Sequence, residues 1–415
     1  MTQHRVVVTG VGVVSPVGLN ASDFWRSLLQ GQNGISRIDR FDVTDFDTRI
    51  AGQVSEFKLS ERVEHKDARR MARFTQFAVQ AAFEALEQAQ VQISEMNPFD
   101  VGVIIGCGIG GLDIIEEQHK ILQAKGPKRV SPLLIPMFIP NMAAGQVAIH
   151  TGARGPNTCP VTACASAAHA MGDAFRVLQR GEAQIMITGG TEAAITPLSL
   201  AGFNAAKTMS TRNHEPELAS RPFDQERDGF VMGEGSGILI LETLESARSR
   251  GVPILAEIVG YGMSNDAYHI TAPTPEGEGL IEAMRRALLD ARLSPEQIGY
   301  INAHGTSTPL NDQTETRAIK GLFGSHAYNL LISSTKSMTG HLLGAAGGIE
   351  AVATVMSLHT QQVHPTRNLV KPDPSCDLDY VPGEARQLSL QAALSNSMGF
   401  GGHNAVLAFR QWRDD

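Results

Sequence analysis

Long apolar runs, clustered cysteines and an excess of basic residues are all missing from this sequence of 415 residues. No stretch approaches the ~18 apolar residues that a membrane span requires, so we expect no membrane-spanning segment. The four cysteines form no CxxC pair and the N-terminus shows no secretory signal, so we expect a reducing, cytoplasmic location. No HExxH motif is present, so a catalytic metal is not expected. The net charge of −8 at pH 7 argues against nucleic-acid binding, which needs a basic surface.

Glycine is abundant instead, and it lies mostly beside apolar, strand-like runs. The 41 glycines exceed the average usage of about 7%. Strand-like and helical stretches alternate, which predicts an α/β fold with buried, largely parallel strands. The predicted strands cover residues 6–14, 101–106, 185–189, 237–241, 256–262, 298–303, 330–333 and 405–409. The pair Val11-Gly12 resembles Val259-Gly260, which suggests a duplication, and we place the boundary between halves 1–250 and 251–415.

Cys164 lies between two β-formers, Val161 and Thr162, and a helical pattern that begins near Ala167 and stops at Gly181. A cysteine at such a junction meets free backbone N–H groups and the positive end of a helix dipole, and both stabilise a thiolate. The small residues around Cys164 leave room for a substrate. Two interpretations stay open from this pattern alone, a reactive nucleophile and a small buried apolar residue.

Two of the thirteen histidines, His304 and His341, follow short apolar runs and lie in segments of small and polar residues. They are therefore expected at the carboxyl ends of strands, where open α/β sheets place their chemistry. A cysteine with histidines elsewhere in the chain is typical of a covalent nucleophile with acid–base or electrostatic helpers.

The segment 106–111 matches the GxGxxG pattern, follows an apolar strand and precedes a plausible helix. A Rossmann oxidoreductase is therefore the alternative from another class. A dinucleotide site also needs an acidic residue about 20 positions further on, and residues 130–140 contain none. The nucleotide interpretation is therefore the weaker one.

Several blocks of this sequence follow the order and spacing of one enzyme family. They are residues 161–166, 221–224 with 227–235, 302–309, 333–350 and 399–402. Together they make the chain closely resemble the β-ketoacyl-acyl-carrier-protein synthases, the condensing enzymes of fatty-acid synthesis in the thiolase-fold superfamily. The block 336–350 and Ile109 look most like the synthase II branch, which elongates medium and long acyl chains. The resemblance implies a duplicated thiolase-like fold, layered α-β-α-β-α, with two mixed sheets around central helices.

The resemblance also separates this chain from neighbouring families. Its Cys-His-His set differs from the Cys-His-Asn set of synthase III and from degradative thiolases, which use a second cysteine. Cysteine rather than glutamine at position 164 argues against a non-condensing decarboxylase. Met398 and His403 stand where many relatives have phenylalanine and threonine. We expect the chemistry to be retained, while the effect on gating and chain-length preference stays open. A specialised synthase of a secondary pathway stays open as an alternative.

The resemblance implies a role for each of the matching residues. Cys164 takes the acyl group from an acyl carrier protein, and malonyl-carrier protein then loses CO₂ and attacks it. The implied catalytic residues are Cys164, His304, His341, Lys336 and Phe400, of which Lys336 supports the histidines and Phe400 supplies an oxyanion-hole N–H. The implied substrate-binding residues are Ile109, Phe203, Thr306, Thr308 and Gly401. No cofactor is implied beyond the phosphopantetheine that arrives on the carrier protein, and a homodimer is implied.

Two further sets of residues gain a role from the resemblance. Spacing alone favours solvated surface for the clustered basic residues. With the resemblance they become candidates for docking an acidic carrier protein. They are Lys66, Arg69, Arg70, Lys125, Lys128, Arg129 and Lys207. A structural monovalent cation is implied near Asn302, Glu350, Ser395 and Asn396.

Overall fold

The computed structural model of the chain describes residues 3–413, and a ten-stranded sheet dominates that range. The strands are β1 Val6–Val14, β2 Ile35–Arg37, β3 Ile50–Gly52, β4 Val101–Gly106, β5 Asn157–Thr158, β6 Ile185–Glu192, β7 Gly235–Thr243, β8 Ala256–Asn265, β9 Ile298–Asn302, β10 Leu331–Ser333, β11 Gln362–Val363, β12 Arg386–Gln387, β13 Ala392–Gly399 and β14 His403–Gln411. The helices are α1 Ala21–Leu29, α2 His65–Ala68, α3 Arg73–Gln88, α4 Leu112–Lys125, α5 Leu134–Phe138, α6 Met142–Thr151, α7 Ser166–Gln179, α8 Pro197–Ala205, α9 Leu244–Arg250, α10 Glu278–Ala291, α11 Pro309–Phe323, α12 Lys336–Thr339 and α13 Ala346–Thr360. Among these helices, none within residues 3–413 is both long and apolar enough to cross a membrane.

The sheet consists of two halves that repeat one topology. The first half has the order β5-β4-β6-β7-β1, and the second has the order β10-β9-β13-β14-β8. In each half the first three strands are parallel and the last two pair antiparallel to their neighbours. The predicted α/β class and duplicated thiolase-like fold are confirmed.

The two mixed sheets are joined edge to edge, because Val6, Val7 and Val8 of β1 pair with the first residues of β8. The first set of strands ends at Thr243 and the second begins at Ala256, so the proposed division at residue 250 falls between them. That division stays a prediction, since the strands form one continuous sheet.

The helices form three layers around the two halves. The central helices α7 and α13 pack against each other and against strands of both halves, while α3 and α6 cover one face and α10 and α11 cover the other. Gly10 and Gly12 face α3 so closely that a Cβ would collide with its backbone, and Gly260 and Gly262 face α10 in the same way. The duplication therefore relates Gly10 to Gly260 and Gly12 to Gly262, two residues away from the alignment that sequence inspection suggests.

The candidate residues gather where the parallel strands end. Cys164 follows β5, His304 follows β9, His341 follows β10 and Phe400 follows β13. Cys164 directly precedes α7, and His341 lies just before α13, the equivalent central helix of the second half. The duplication thus brings the nucleophile of one half and the histidines of the other to the same side of the molecule.

Candidate active site

One cavity of about 690 Å³ collects most of the predicted residues. Its lining includes Cys164, His304, His341, Phe400, Ile109, Phe203, Thr306, Thr308 and Lys207. Gly401 and Lys336 lie outside that lining. The predicted nucleophile and both predicted histidines therefore share one space of a size that suits a small-molecule site.

The turn that carries Cys164 is stabilised by hydrogen bonds between residues of the same segment. The Ser166 hydroxyl donates to the Ala163 carbonyl at 2.7 Å and accepts the Thr162 N–H at 2.9 Å. This arrangement holds Ala163 at a φ of +51°, a left-handed conformation that is uncommon for a residue with a Cβ. Gly399 packs against the same turn, because a Cβ there would lie 2.6 Å from the Thr162 oxygen.

The Cys164 thiol is buried, and burial raises its pKa to about 12. The Lys336 charge and a hydrogen bond from the Phe400 N–H to the sulfur lower that pKa, but the cost of removing a thiolate from water is larger. Burial therefore outweighs the helix N-terminus and the nearby N–H groups, the two effects that the sequence suggests for this thiol.

His304 is held by its backbone. The N–H groups of His304 and Gly305 each donate at 2.8 Å to the Glu315 carboxylate, which comes from α11. Burial raises the pKa of Glu315 to about 7, and these two hydrogen bonds oppose that rise. Lys336 Nζ donates to the His304 carbonyl at 2.5 Å and lies 3.3 Å from His304 Nδ1. Because an ammonium only donates, His304 Nδ1 accepts and the ring proton is on Nε2.

His341 has the same tautomer for a different reason. Its N–H donates to the Val231 carbonyl at 2.7 Å, and the Leu343 N–H donates to His341 Nδ1 at 3.3 Å. The ring proton is therefore on Nε2 here too. The two imidazole centroids are 5.3 Å apart and nearly perpendicular. The site thus contains two neighbouring Nε2–H donors.

Both histidines are neutral in this environment. Burial lowers the pKa of His304 well below 6.5, and the positive charge of Lys336 lowers it further. Burial and then the Lys336 charge lower the pKa of His341 in the same way. A neutral imidazole with its proton on Nε2 donates a hydrogen bond without bringing a second positive charge next to Lys336.

Lys336 is itself buried, and it forms an ion pair with Glu350 of α13. Its three protons go to the Glu350 carboxylate, the His304 carbonyl and His304 Nδ1. Removal of one partner of such a buried pair typically costs about 3–5 kcal/mol, because the other charge is left uncompensated. Lys336 therefore acts on the site through its contacts with His304 and does not itself line the cavity.

Three oxygens behind this pair have no hydrogen-bond partner although they are buried. They are Asn302 Oδ1, Glu350 Oε2 and Asn396 Oδ1. Asn302 and Ser395 are directly opposite each other in β9 and β13. Unpaired oxygens, one of them from a carboxylate, are the donor type that a hard cation prefers, so the chemistry of these residues fits the monovalent ion that the resemblance implies.

The substrate-binding residues divide into an apolar and a polar group. Ile109 and Phe203 pack on the buried apolar cluster that includes Cys164 and Leu343. The Thr306 and Thr308 hydroxyls are 2.9 Å apart and belong to the polar part of the lining. Gly401 contacts the loop that follows β8 instead, because its N–H donates to the Ile270 carbonyl at 2.8 Å.

The seven basic candidates are all exposed, and Lys207 alone among them lines the cavity. Lys66 pairs with Glu64 at 2.9 Å and Arg70 with Asp67 at 3.4 Å. These are exposed ion pairs of small energy, so they leave the lysine and arginine available to a stronger anionic partner.

Two carboxylates of the site were missed from the sequence. Glu315 is eleven residues after His304, and Glu192 is the last residue of β6. Glu192 accepts the N–H groups of Gly108, Ile109 and Gly110, the loop whose pattern suggested a nucleotide site. The amides of that loop are therefore used by an internal carboxylate rather than by a phosphate. An acidic residue inside the apolar, glycine-rich run of β6 was the signal that could have identified it.

The chain is similar to proteins of known family along nearly its whole length. The descriptions "Beta-ketoacyl synthase, N-terminal domain" and "Beta-ketoacyl synthase, C-terminal domain" match residues 3–247 and 255–370. A Synechocystis sp. protein named 3-oxoacyl-[acyl-carrier-protein] synthase 2 is 58% identical over 413 residues, which are 100% of this chain and 99% of that protein. A Staphylococcus aureus protein of the same name is 54% identical over 413 residues, 99% of this chain and 100% of that protein.

Solved structures give the same result. A β-ketoacyl synthase from Burkholderia phymatum has a TM-score of 0.92 and 35% identity, and the match covers 99% of this chain and 100% of that chain. A type II polyketide ketosynthase, solved in complex with its acyl-carrier protein, has a TM-score of 0.92 and 38% identity, with the same coverage of both chains.

Proposed function

Because the chain belongs to the β-ketoacyl synthase family, we propose that its cavity carries out both half-reactions of a decarboxylative condensation at one thiol. The chain is an acyltransferase of the synthase II type, a condensing enzyme of fatty-acid elongation. The convergence of Cys164, His304 and His341 on one cavity supports the assignment of the reaction to these residues.

In the first half-reaction, Cys164 attacks the thioester of an acyl-carrier protein. The N–H groups of Cys164 and Phe400 stabilise the oxyanion, and the Phe400 N–H is already directed at the sulfur. The departing pantetheine sulfur takes up the proton that Cys164 loses. Since burial disfavours the free thiolate, the sulfur rests as the neutral thiol and its deprotonation is coupled to attack.

In the second half-reaction, malonyl-carrier protein binds with its thioester oxygen between His304 and His341. As CO₂ leaves, negative charge develops on that oxygen, and the two Nε2–H groups stabilise it. The carbanion then attacks acyl-Cys164, the C–S bond breaks, and the product is a β-ketoacyl chain longer by two carbons. Lys336 positions His304, while burial and then the Lys336 charge keep both rings neutral, so that they act as hydrogen-bond donors.

The direct test follows both half-reactions in sequence. The purified protein is incubated with a medium-chain acyl-carrier protein and then with malonyl-carrier protein, while intact mass and CO₂ release are measured. An acyl adduct that disappears as β-ketoacyl product forms supports condensation. CO₂ release without an adduct would favour the non-condensing decarboxylase instead. A series of acyl lengths then separates an elongation enzyme from a specialised synthase.

The neutral histidines predict how the second half-reaction depends on pH. Because the pKa values of His304 and His341 are lowered, both rings keep the donor form below 6.5, where an ordinary histidine becomes protonated. We expect the single-turnover rate of condensation from preloaded acyl-enzyme to stay constant between about pH 7.5 and about pH 6. A decrease with an apparent midpoint near an ordinary histidine pKa would contradict the proposed protonation state.

We propose that the carrier protein docks on the seven exposed basic residues, of which Lys207 lines the cavity. The chain as a whole is acidic, so a local basic surface is needed to attract an acidic partner. A related ketosynthase has been solved in complex with its acyl-carrier protein. Lys207 at the cavity lining links this surface to the channel that Thr306 and Thr308 offer to the phosphopantetheine arm.

Charge reversal at Arg69 together with Lys207 tests the docking surface. We expect KM for carrier-protein substrates to rise about five- to tenfold, because exposed charge pairs contribute modest, salt-sensitive energies. The effect should diminish at high salt, and iodoacetamide labelling of Cys164 should be unchanged. An unchanged KM at low salt would remove the docking assignment.

A second copy of the chain is the proposed partner of the β5 edge. Both residues of β5 are exposed, and the neighbouring elements α4, α5 and α6 carry exposed apolar side chains. These side chains are Ile115, Leu122, Leu133, Ile135 and Ile149, with Val161 beyond the strand. A symmetric second copy would pair this exposed sheet edge and bury the exposed apolar side chains around it. Sedimentation equilibrium should give twice the chain mass, and a monomer mass would contradict the homodimer.

We further propose that the reaction needs no cofactor besides the phosphopantetheine of the carrier protein, and that it takes place in the cytoplasm. The chemistry assigned above uses a thiol, two imidazoles and backbone N–H groups. Asn302, Glu350, Ser395 and Asn396 would hold a monovalent cation, whose charge would balance the second oxygen of Glu350.

A further inference from the structure

Glu192 is a fully buried carboxylate surrounded by hydrogen-bond donors. The N–H groups of Gly108, Ile109 and Gly110 donate to it at 2.9–3.2 Å, and the Gly344 N–H donates at 3.1 Å. The Cys107 thiol lies 3.3 Å from Oε1. No salt bridge to Glu192 is found in residues 3–413. The reaction described above gives this carboxylate no role.

The donors come from two segments that serve different parts of the cavity. One segment contains Ile109, whose side chain belongs to the apolar wall of the cavity. The other is Leu343-Gly344, which lies directly after the turn of His341. The Leu343 N–H is the donor that fixes His341 Nδ1 and so directs its Nε2–H into the cavity.

The two segments are in close contact at this point. A Cβ on Gly344 would collide with the Gly108 nitrogen, and it would lie 2.6 Å from the Glu192 carboxylate. A Cβ on Gly108 would lie 2.8 Å from the same carboxylate. The space between the two segments therefore has room for their backbones and for the Glu192 carboxylate, but not for a side chain at Gly108 or Gly344. Burial raises the pKa of Glu192, and the hydrogen bonds from these neighbours oppose that rise because they favour the ionised carboxylate.

We propose that Glu192 is a positioning residue that fixes the Ile109 wall and the His341 turn in one arrangement, so that the acyl chain and the malonyl thioester are aligned for condensation. This inference rests on the proposed function of Cys164 and His341. A negative charge on Glu192 also raises the pKa of the Cys164 thiol, in addition to the larger effect of burial. Glu192 therefore acts on the second half-reaction through geometry and on the sulfur through its charge.

The test compares Glu192→Gln with the wild type in the two half-reactions. A glutamine amide turns an NH₂ group toward N–H donors, which repels one of the two segments. We expect single-turnover condensation from preloaded acyl-enzyme to slow about 10- to 100-fold, because small misplacements of reacting groups have effects of this size. We also expect the pH profile of Cys164 alkylation by iodoacetamide to move to lower pH, since a negative charge near the sulfur is removed.

Two further variants separate positioning from folding. Glu192→Asp keeps the charge but is one methylene shorter, so it should slow condensation and leave the alkylation profile in place. Glu242→Gln removes another fully buried carboxylate, in β7, which contacts Arg250 rather than the cavity. This control should lower the melting temperature without changing the condensation rate or the alkylation profile.

Each outcome decides the inference. Condensation within about twofold of wild type in a folded Glu192→Gln protein would overturn it. If Glu192→Gln does not fold, the aspartate variant decides, and wild-type condensation in that variant overturns the inference. Absence of condensation in the wild type would instead contradict the proposed function.

Discussion

Replacement of Cys164 with alanine is expected to abolish the acyl adduct and to lower condensation by on the order of 10³-fold or more. The effect is large because the sulfur is the covalent carrier of the acyl group, and no other described thiol lines the cavity of residues 3–413. Intact mass after incubation with acyl-carrier protein measures the adduct, and product formation measures condensation. CO₂ release from malonyl-carrier protein should persist, because His304 and His341 remain.

Cys159 provides the matched control, since it is five residues earlier in the same segment and outside the cavity lining. Burial raises its pKa to about 11, and its thiol donates to the Pro160 carbonyl at 3.8 Å. Cys159→Ala should therefore load acyl groups as the wild type does. An adduct that survives in Cys164→Ala, or equal turnover by that variant, would end the nucleophile assignment.

The sequence predicted the nucleophile turn because its determinants are local. Strand formers, the small residues around Cys164 and the helical pattern after it all lie within about twenty residues. The same holds for His304, which lies two residues after the end of β9 at Asn302, while His341 follows β10 only after the short helix α12. Strand ends were therefore predictable, and the sheet brings these ends together once the α/β class is known.

The partners of these residues were not predictable, because they come from distant elements. Glu315 and Glu192 are held by backbone N–H groups rather than by basic side chains. A carboxylate that is paired with backbone leaves no charge pattern and no motif in the sequence. The pairing that joins the two mixed sheets, through Val6, Val7 and Val8, was also not predictable. An edge pairing of only three residues leaves no recognisable pattern in the sequence.

The Cys164 thiol shows the limit of reasoning from local electrostatics. A helix N-terminus and nearby N–H groups favour the thiolate, and both are read from sequence. Burial opposes them and depends on the packing of Gly399, Phe400 and Leu343 around the sulfur, which only the fold supplies. The direction of the pKa shift therefore had to come from the structure.

Separate replacement of His304 and His341 with alanine is expected to lower malonyl decarboxylation by about 10²–10³-fold each, the usual cost of one oxyanion donor. Acyl loading of Cys164 should continue, because its oxyanion is stabilised by the backbone N–H groups of Cys164 and Phe400. Single-turnover CO₂ release, measured beside the mass of the acyl-enzyme, separates the two steps. The two losses should not add in full in the double variant, since both donors serve one oxygen.

His364 is the matched control, because it is equally buried, burial lowers its pKa to about 4, and it lies outside the cavity lining. His364→Gln should lower stability, since Tyr300 and Thr335 lose a hydrogen-bond partner, while acyl loading and decarboxylation keep their ratio. Glutamine at position 304 or 341 retains an N–H donor and should recover part of the lost rate. If either alanine variant instead stops acyl loading while CO₂ release continues, the imidazoles serve the thiol rather than the malonyl thioester. His304 and His341 would then act in the first half-reaction, the acyl transfer to Cys164, rather than in the second.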